Sequence, residues 1–302
     1  MFNNKTIKAV SFGEVLFDVF GEEKKIGGAP LNLALRTASF GFPVAMISAI
    51  GNDEDGQTIL DYTSAHHLET SGIVTTPDYE TGVVQVSLND RGSATYEIKF
   101  PSAWDFISIN DDVSKTVKEA DVFFYGSLAC RNDASRTTLF SLLDSNDAMF
   151  KVFDVNLRKP FYNIPILEKL MDKADFIKFN DEEILEIAAE LGYQSDDLEE
   201  NIQFISEKTN TPVICVTLGK HGSILLWDDQ IYRHGGYPVT VADTVGAGDS
   251  FLASLTAKLL TGHSPDDALD FASAVGAMVA TFTGANPKIE YSQLDTFIKQ
   301  SL

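Results

Sequence analysis

The chain predicts an α/β fold with a mainly parallel central sheet. Short apolar runs recur along it, among them Val122-Phe123-Phe124-Tyr125, the pattern of strands buried on both faces. These runs alternate with segments whose apolar residues fall at helical spacing, such as Phe251, Leu255 and Leu259. Strand–helix alternation of this kind builds parallel sheets covered by helices. One stretch breaks the rhythm: two alternating strands flank the turn residues Asn89-Asp90-Arg91-Gly92. That hairpin is expected to leave the main sheet.

In chain order, Lys8 to Phe20 reads as a strand region carrying one carboxylate, Asp18. A charge in an apolar strand pattern either has a partner or faces solvent at an alternate position. Gly27 and Gly28 then precede a helical pattern through Leu33, Leu35 and Ala38. Two glycines there make either a plain turn or a place where backbone comes close to a ligand. Val44 to Ile50 is a strand and Gly56 to His67 a helix, with His66 and His67 on different faces at the surface. The hairpin spans Val83 to Ile98. Asp121 to Leu128 is a buried strand, Thr137 to Leu143 a helix, and Phe150 to Leu157 a strand ending in Asp154-Val155-Asn156-Leu157-Arg158. Polar groups at the carboxyl end of a parallel strand stand where α/β sheets bind ligands.

Ile164 to Lys173 is a helix and Phe176 to Phe179 a short strand, followed by Asn180-Asp181-Glu182-Glu183 and a helix to Leu191. Asn at the N-cap with Glu three residues on is a capping-box arrangement. Local stability alone would explain it. Val213 to Leu218 and Ser223 to Trp227 are strands around Gly219-Lys220-His221-Gly222. Asp266 to Thr281 is a long apolar helix, with Gly284 placed as its C′ residue and Pro287 after it. Gln293 to Lys299 closes the chain as a helix.

The chemistry centres on Asp243-Thr244-Val245-Gly246-Ala247-Gly248-Asp249, where a loop turns into a helix. The first amides of a helix lack internal partners and carry the positive end of its dipole. Glycines at 246 and 248 let an anion approach them. Asp249 beside such an anion suits phosphoryl transfer: amides hold the developing charge and the carboxylate takes a hydroxyl proton. An ordinary helix start is the plainer reading of a lone Gly-x-Gly.

The 302 residues fit a large α/β domain with a small appendage. A formal net charge of -21 repels nucleic acid and anionic membranes, so neither is an expected partner. The two cysteines, Cys130 and Cys215, have no metal-like spacing and read as reduced thiols of a cytoplasmic protein. The polar stretch Met1 to Lys8 holds no apolar signal core, and no run of about twenty apolar residues occurs. There is no Gly-x-x-x-x-Gly-Lys-Ser/Thr, which excludes a P-loop.

Taken together, six strings resemble, in family order, the signatures of the PfkB, or ribokinase-like, carbohydrate kinases. They are Asp18, Gly27-Gly28-Ala29-Pro30-Leu31-Asn32, Asp154-x-Asn156-x-Arg158, Asn180-x-x-Glu183, Thr217-x-Gly219-x-x-Gly222 and Asp243-Thr244-x-Gly246-Ala247-Gly248-Asp249. The resemblance covers nearly the whole chain. It implies one domain over residues 1–302, a three-layer α/β/α sandwich with a small β-lid from segments near 13–26 and 81–103. Subunits would pair through that lid as a homodimer. It also implies ATP-dependent phosphorylation of a small-molecule sugar with Mg²⁺. By resemblance, Asp18, Gly28, Asn32 and Asn156 bind the sugar. Arg158 stands near the transferring phosphate, and Asn180, Thr217, Gly219 and Gly222 serve the nucleotide. Glu183 acts on Mg²⁺ through water. Gly246, Ala247 and Gly248 form the anion hole, Asp249 is the base, and Asp243 is a candidate for a monovalent cation such as K⁺.

The glycine-rich string before Asn32 takes the form associated with fructokinases, and few basic residues lie near the motifs to hold an already phosphorylated substrate. Fructose is therefore the first expectation. Three departures bear on the sugar: Val155 where fructokinases commonly carry proline, Ser273 where relatives often have Asn, and Ser102-Ala103-Trp104-Asp105 in the lid. The alternative is a 2-keto-3-deoxygluconate kinase, in which Arg158 would meet a carboxylate. A sugar-binding regulator is a third reading, against which the intact glycines and Asp249 stand.

Overall fold

The structure is a computed structural model and describes residues 6–88 and 94–301. Its chain divides into two compact units, Lys8–Met149 and Phe150–Leu302, the latter joined by Met1–Ile7.

The unit Lys8–Met149 holds two sheets. Strand β1 (Ala9–Phe12) belongs to the first, β2 (Leu16–Phe20) and β3 (Glu23–Gly27) to the second. Lys8 to Phe20 is thus two strands rather than the one continuous strand region expected. The break falls at Gly13, whose carbonyl accepts from Ser48 Oγ at 2.6 Å. Helix α1 (Ala29–Ser39) follows, then β4 (Val44–Gly51), α2 (Glu54–Ala65) and β5 (Ile73–Thr76). Helix α2 starts two residues before the expected Gly56, because Asp53 caps it by accepting from the Gly56 amide at 2.7 Å. Strands β6 (Gly82–Leu88) and β7 (Ala94–Ile98) form the hairpin, with its turn residues 89–93 outside the described residues. Helix α3 (Asp111–Glu119), β8 (Val122–Gly126) and α4 (Asp133–Leu143) complete the unit.

The first sheet runs β8-β1-β4-β5, every pair parallel. Strand β4 is buried along its whole length, as its apolar residues require, and its one hydroxyl, on Ser48, is satisfied by Gly13 O. Phe12 and Phe123 stack at 6.3 Å in the core. The second sheet runs β3-β2-β6-β7, and β2 pairs with β6 in parallel, Asp18 opposite Val84. A hairpin alone is marginal in water. Here Leu16, Val84 and Val86 bury one face against one another, with Ile98 packed on them.

The unit Phe150–Leu302 begins with β9 (Phe150–Asp154), α5 (Ile164–Met171), β10 (Phe176–Asn180), α6 (Asp181–Glu190), α7 (Leu198–Thr209) and β11 (Val213–Thr217). Strands β9, β10 and β11 are parallel neighbours. Then β12 (Ser223–Trp227) and β13 (Gln230–His234) extend the sheet antiparallel. Helices α8 (Ala247–Leu260), α9 (Pro265–Ala280) and α10 (Tyr291–Ser301) close the chain. Helices α8 and α9 are apolar over most of their surface and bury it, including Phe251, Leu252, Leu255, Leu269 and Val275. Among the described residues no helix is long and apolar enough to cross a membrane.

Candidate active site

Helix α8 opens on Gly246, whose φ of 76° and ψ of -4° lie in the left-handed region that glycine alone adopts cheaply. A Cβ there would also stand 2.6 Å from the Cα, Cβ and carbonyl oxygen of Ala285. Both backbone and packing therefore require glycine. No side chain caps this helix. The Ala247 amide turns inward to Thr244 O at 3.2 Å. The preceding loop is pinned by Asp243: Oδ1 accepts from the Val245 amide at 3.0 Å and Oδ2 from the Gly284 amide at 3.0 Å. One carboxylate thus ties the glycine loop to the turn after α9. Asp249 lies in the first turn, half-buried.

Parallel register brings the other motifs of this unit to the carboxyl ends of β9, β10 and β11. Asn180 stands opposite Thr217, and Asp154 opposite Lys178. Asn156 adopts a left-handed φ of 39°, and exposed Arg158 donates through Nη1 to Leu157 O at 3.0 Å. The capping box at Asn180 forms: Asn180 Oδ1 accepts from the Glu183 amide at 2.8 Å, and Glu183 Oε2 from the Asn180 amide at 2.8 Å. Glu183 does more than cap. Its Oε1 accepts from the Leu157 amide at 2.9 Å, joining the β10–α6 turn to the segment after β9. Burial pushes its carboxyl above the ordinary range, and nearby Asp154 adds to that, while Lys178 and the two amides pull the other way. Gly219 and Gly222 bracket a helical turn whose ends meet, Leu218 N donating to Gly222 O at 2.8 Å.

Lys178, absent from the sequence expectations, sits at the centre of this group. Its Nζ lies 3.2 Å from Asp154 Oδ1, both side chains about nine-tenths buried. Burial works to lower its pKa, but Asp154, Glu183 and Asp249 outweigh burial and hold it above the ordinary lysine value. The signal was present: a lysine inside the apolar strand Phe176-Ile177-Lys178-Phe179 poses the question that Asp18 poses.

In the unit Lys8–Met149, Asp18 lies on β2 with its carboxylate directly over Gly27. Gly28, the N-cap of α1, has φ 110°, and a Cβ there would strike the backbone of Glu14 and Val15. Asn32 is buried, and its backbone N–H donates to Gly28 O at 2.9 Å. Ser11 Oγ donates to Pro30 O at 2.7 Å, tying the start of α1 to β1. Asp18, Gly28 and Asn32 are thus brought together around one turn.

A mostly parallel α/β fold of this kind, with a glycine-opened helix and an acid in its first turn, has the features of a kinase that phosphorylates small molecules. The pfkB family carbohydrate kinase model matches residues 3–291, and the chain belongs to that family. It is 27% identical over 280 residues to the fructokinase of Salmonella typhimurium, covering 88% of this chain and 89% of that one. An uncharacterized sugar kinase of Pyrococcus horikoshii in complex with ATP is 26% identical, with a TM-score of 0.81 over 98% of this chain and 100% of that chain. The fructokinase of Xylella fastidiosa with bound ATP has a TM-score of 0.85 at 23% identity, over 98% and 99% of the two chains, a likeness of fold. The fold is ribokinase-like.

Proposed function

We propose that this carbohydrate kinase transfers the γ-phosphoryl group of ATP to a sugar hydroxyl, with D-fructose, giving fructose 6-phosphate, as the favoured acceptor. The observation that carries the reading is the opening of α8, where glycine is required at 246 and no side chain caps the helix. The amides of Gly246 and Gly248 then carry the anion contact, since that of Ala247 is turned to Thr244. As the sugar oxygen bonds to phosphorus and the bond to the departing ADP oxygen breaks, Asp249 takes the hydroxyl proton. Arg158 neutralises the transferring phosphate. Asn180, Thr217, Gly219 and Gly222 serve the nucleotide, and Asp18, Gly28, Asn32 and Asn156 the sugar. ATP and fructose are supported by the relatives, since the Pyrococcus horikoshii sugar kinase is solved with ATP and the Salmonella typhimurium protein is called a fructokinase.

Mg²⁺ keeps several waters and binds through one or two carboxylates plus phosphate oxygens. The residues fit that mode rather than a protein cage, since no group of three or more His, Cys, Asp or Glu among the described residues could hold a metal. Glu183 spends one lone pair of each oxygen on a backbone amide, so it would act on Mg²⁺ through water. The ion would neutralise phosphate charge. Asp243 would serve K⁺ in the same way, by lone pairs left beside its two amide bonds. The four-stranded sheet is proposed as a lid over the sugar, and as the contact of a homodimer whose state scattering would show. The buried cysteines, their thiols pushed up to about 12 by burial, suit a reduced, cytoplasmic setting.

The test is ADP release with fructose, other free hexoses, fructose 6-phosphate and 2-keto-3-deoxygluconate. Highest kcat/KM for fructose supports the reading. A preference for 2-keto-3-deoxygluconate moves it to the alternative, and no turnover with any sugar overturns it.

A further inference from the structure

The buried ammonium of Lys178 has no part in the chemistry described so far. It reaches its place by register, Lys178 on β10 facing Asp154 on β9. Asp154 on β9 is in contact with it at 3.2 Å, and Glu183 on α6, Asp249 on α8 and the buried thiol of Cys215 on β11 are coupled to it electrostatically. Its Nζ is also the atom that a Cβ at Gly248 would meet, at 3.6 Å. The cation thus lies against the turn that carries the proposed anion contact. A lysine in a buried strand is costly to bury, and an aliphatic residue would fill the space without it. Without that cation, Asp154 would be left as a buried carboxylate with no countercharge from this pair.

We propose that Lys178 is a positioning residue for phosphoryl transfer: it is the fixed countercharge of Asp154, Glu183 and Asp249, and it holds Asp249 against the Gly246–Gly248 turn. This rests on the reading of Asp249 as the base. Lys178 acts through Asp249. Its side chain links the Asp154 strand end to the first turn of α8. Its loss would therefore change how readily Asp249 gives up its proton, and so the rate, more than it changes sugar binding.

The test compares wild type with Lys178→Met, Lys178→Arg, the double variant Asp154→Asn/Lys178→Met, and Asp249→Asn, using ATP and the best sugar of the panel. Lys178→Met is expected to lower kcat by about 10- to 100-fold, the range for losing the partner of a directly acting group. The acid limb of its kcat–pH profile should move up by on the order of one unit, since a cation near a carboxylate shifts its titration by about that much or more. The sugar KM should change far less. Lys178→Arg, keeping the charge, should keep the acid limb. Should Lys178→Met fail to fold, the double variant, which buries no unpaired charge from this pair, carries the test and should show the same kinetic loss. Either variant folded with wild-type kcat and acid limb overturns the inference. An active Asp249→Asn enzyme would instead overturn the reading of the base, whatever Lys178 does.

Discussion

At the scale of single residues, the proposed function gives Asp249 and Asp18 different work. Phosphoryl transfer needs little covalent help, so most of the catalysis is positioning and charge stabilisation. The amides before Asp249 can supply that, but they cannot accept a proton. Asp249→Asn keeps the shape and loses the acceptor, so kcat should fall by about 10²–10⁴ while both binding constants change much less. A kcat within a few-fold of wild type, measured with both substrates saturating, would leave α8 as an anion site with the base elsewhere. Asp18 lies over Gly27 on the four-stranded sheet, remote in sequence from the α8 motif. Its removal should raise the sugar KM at least about tenfold, from a lost charged hydrogen bond of roughly 1.5–3 kcal/mol. Titration calorimetry with ATP should show nucleotide binding intact.

At the scale of elements, Glu183 combines a cap with the role of acid proposed for it. Asparagine caps such as Asn180 are worth about 0.5–2 kcal/mol. Glu183 additionally receives the Leu157 amide, so each of its oxygens must accept. Glutamine offers one acceptor and one donor, and cannot satisfy both amides. Glu183→Gln should therefore lower stability by about 1–3 kcal/mol, the cost of a buried donor left without a partner. That deficit should shrink with rising pH. A carboxyl raised in the folded state stabilises the fold below its unfolded value, a contribution lost as pH climbs through the raised value. Glutamine has none to lose. Paired denaturant curves across the acid range would check the sign. The other buried ionic contact with a clear element role is Arg131–Asp105, with Nε 2.6 Å from Oδ1. Asp105 also accepts from the Ser102 amide at 2.8 Å, so the pair fixes the segment after the hairpin to the turn after β8. Arg131→Met should cost about 3–5 kcal/mol by leaving a buried carboxylate behind. A melting temperature near wild type would mean the carboxylate finds another partner.

At the scale of the whole molecule, net charge dominates. With a formal charge of -21, the folded chain repels itself. Exposed pairs such as Lys24–Asp55 at 2.7 Å contribute little against this. Added salt shortens the screening length from about 30 Å at 0.01 M to about 3 Å at 1 M. The melting temperature should therefore rise with sodium chloride over that range. A fall would mean that surface ion pairs outweigh the repulsion.

The sequence by itself determined the class of fold and pointed to most groups of the candidate site. Short apolar runs such as Val44 to Ile50, flanked by turn residues, read as buried strands, and glycines before a helical pattern mark its start. Both signals are local, which is why they were readable. It missed β5, α3, α7 and β13, short or polar elements that pairing and packing stabilise more than propensity does. Tertiary structure decided three things. It split Lys8 to Phe20 between two sheets, because Gly13 is held by Ser48 of a different strand. It gave Glu183 a second amide from beyond its own helix. And it set Lys178 opposite Asp154, which are 24 residues apart in the chain and adjacent only through the register of two parallel strands. No pattern within a single segment encodes that register; it follows from how neighbouring strands align when both bury their apolar faces.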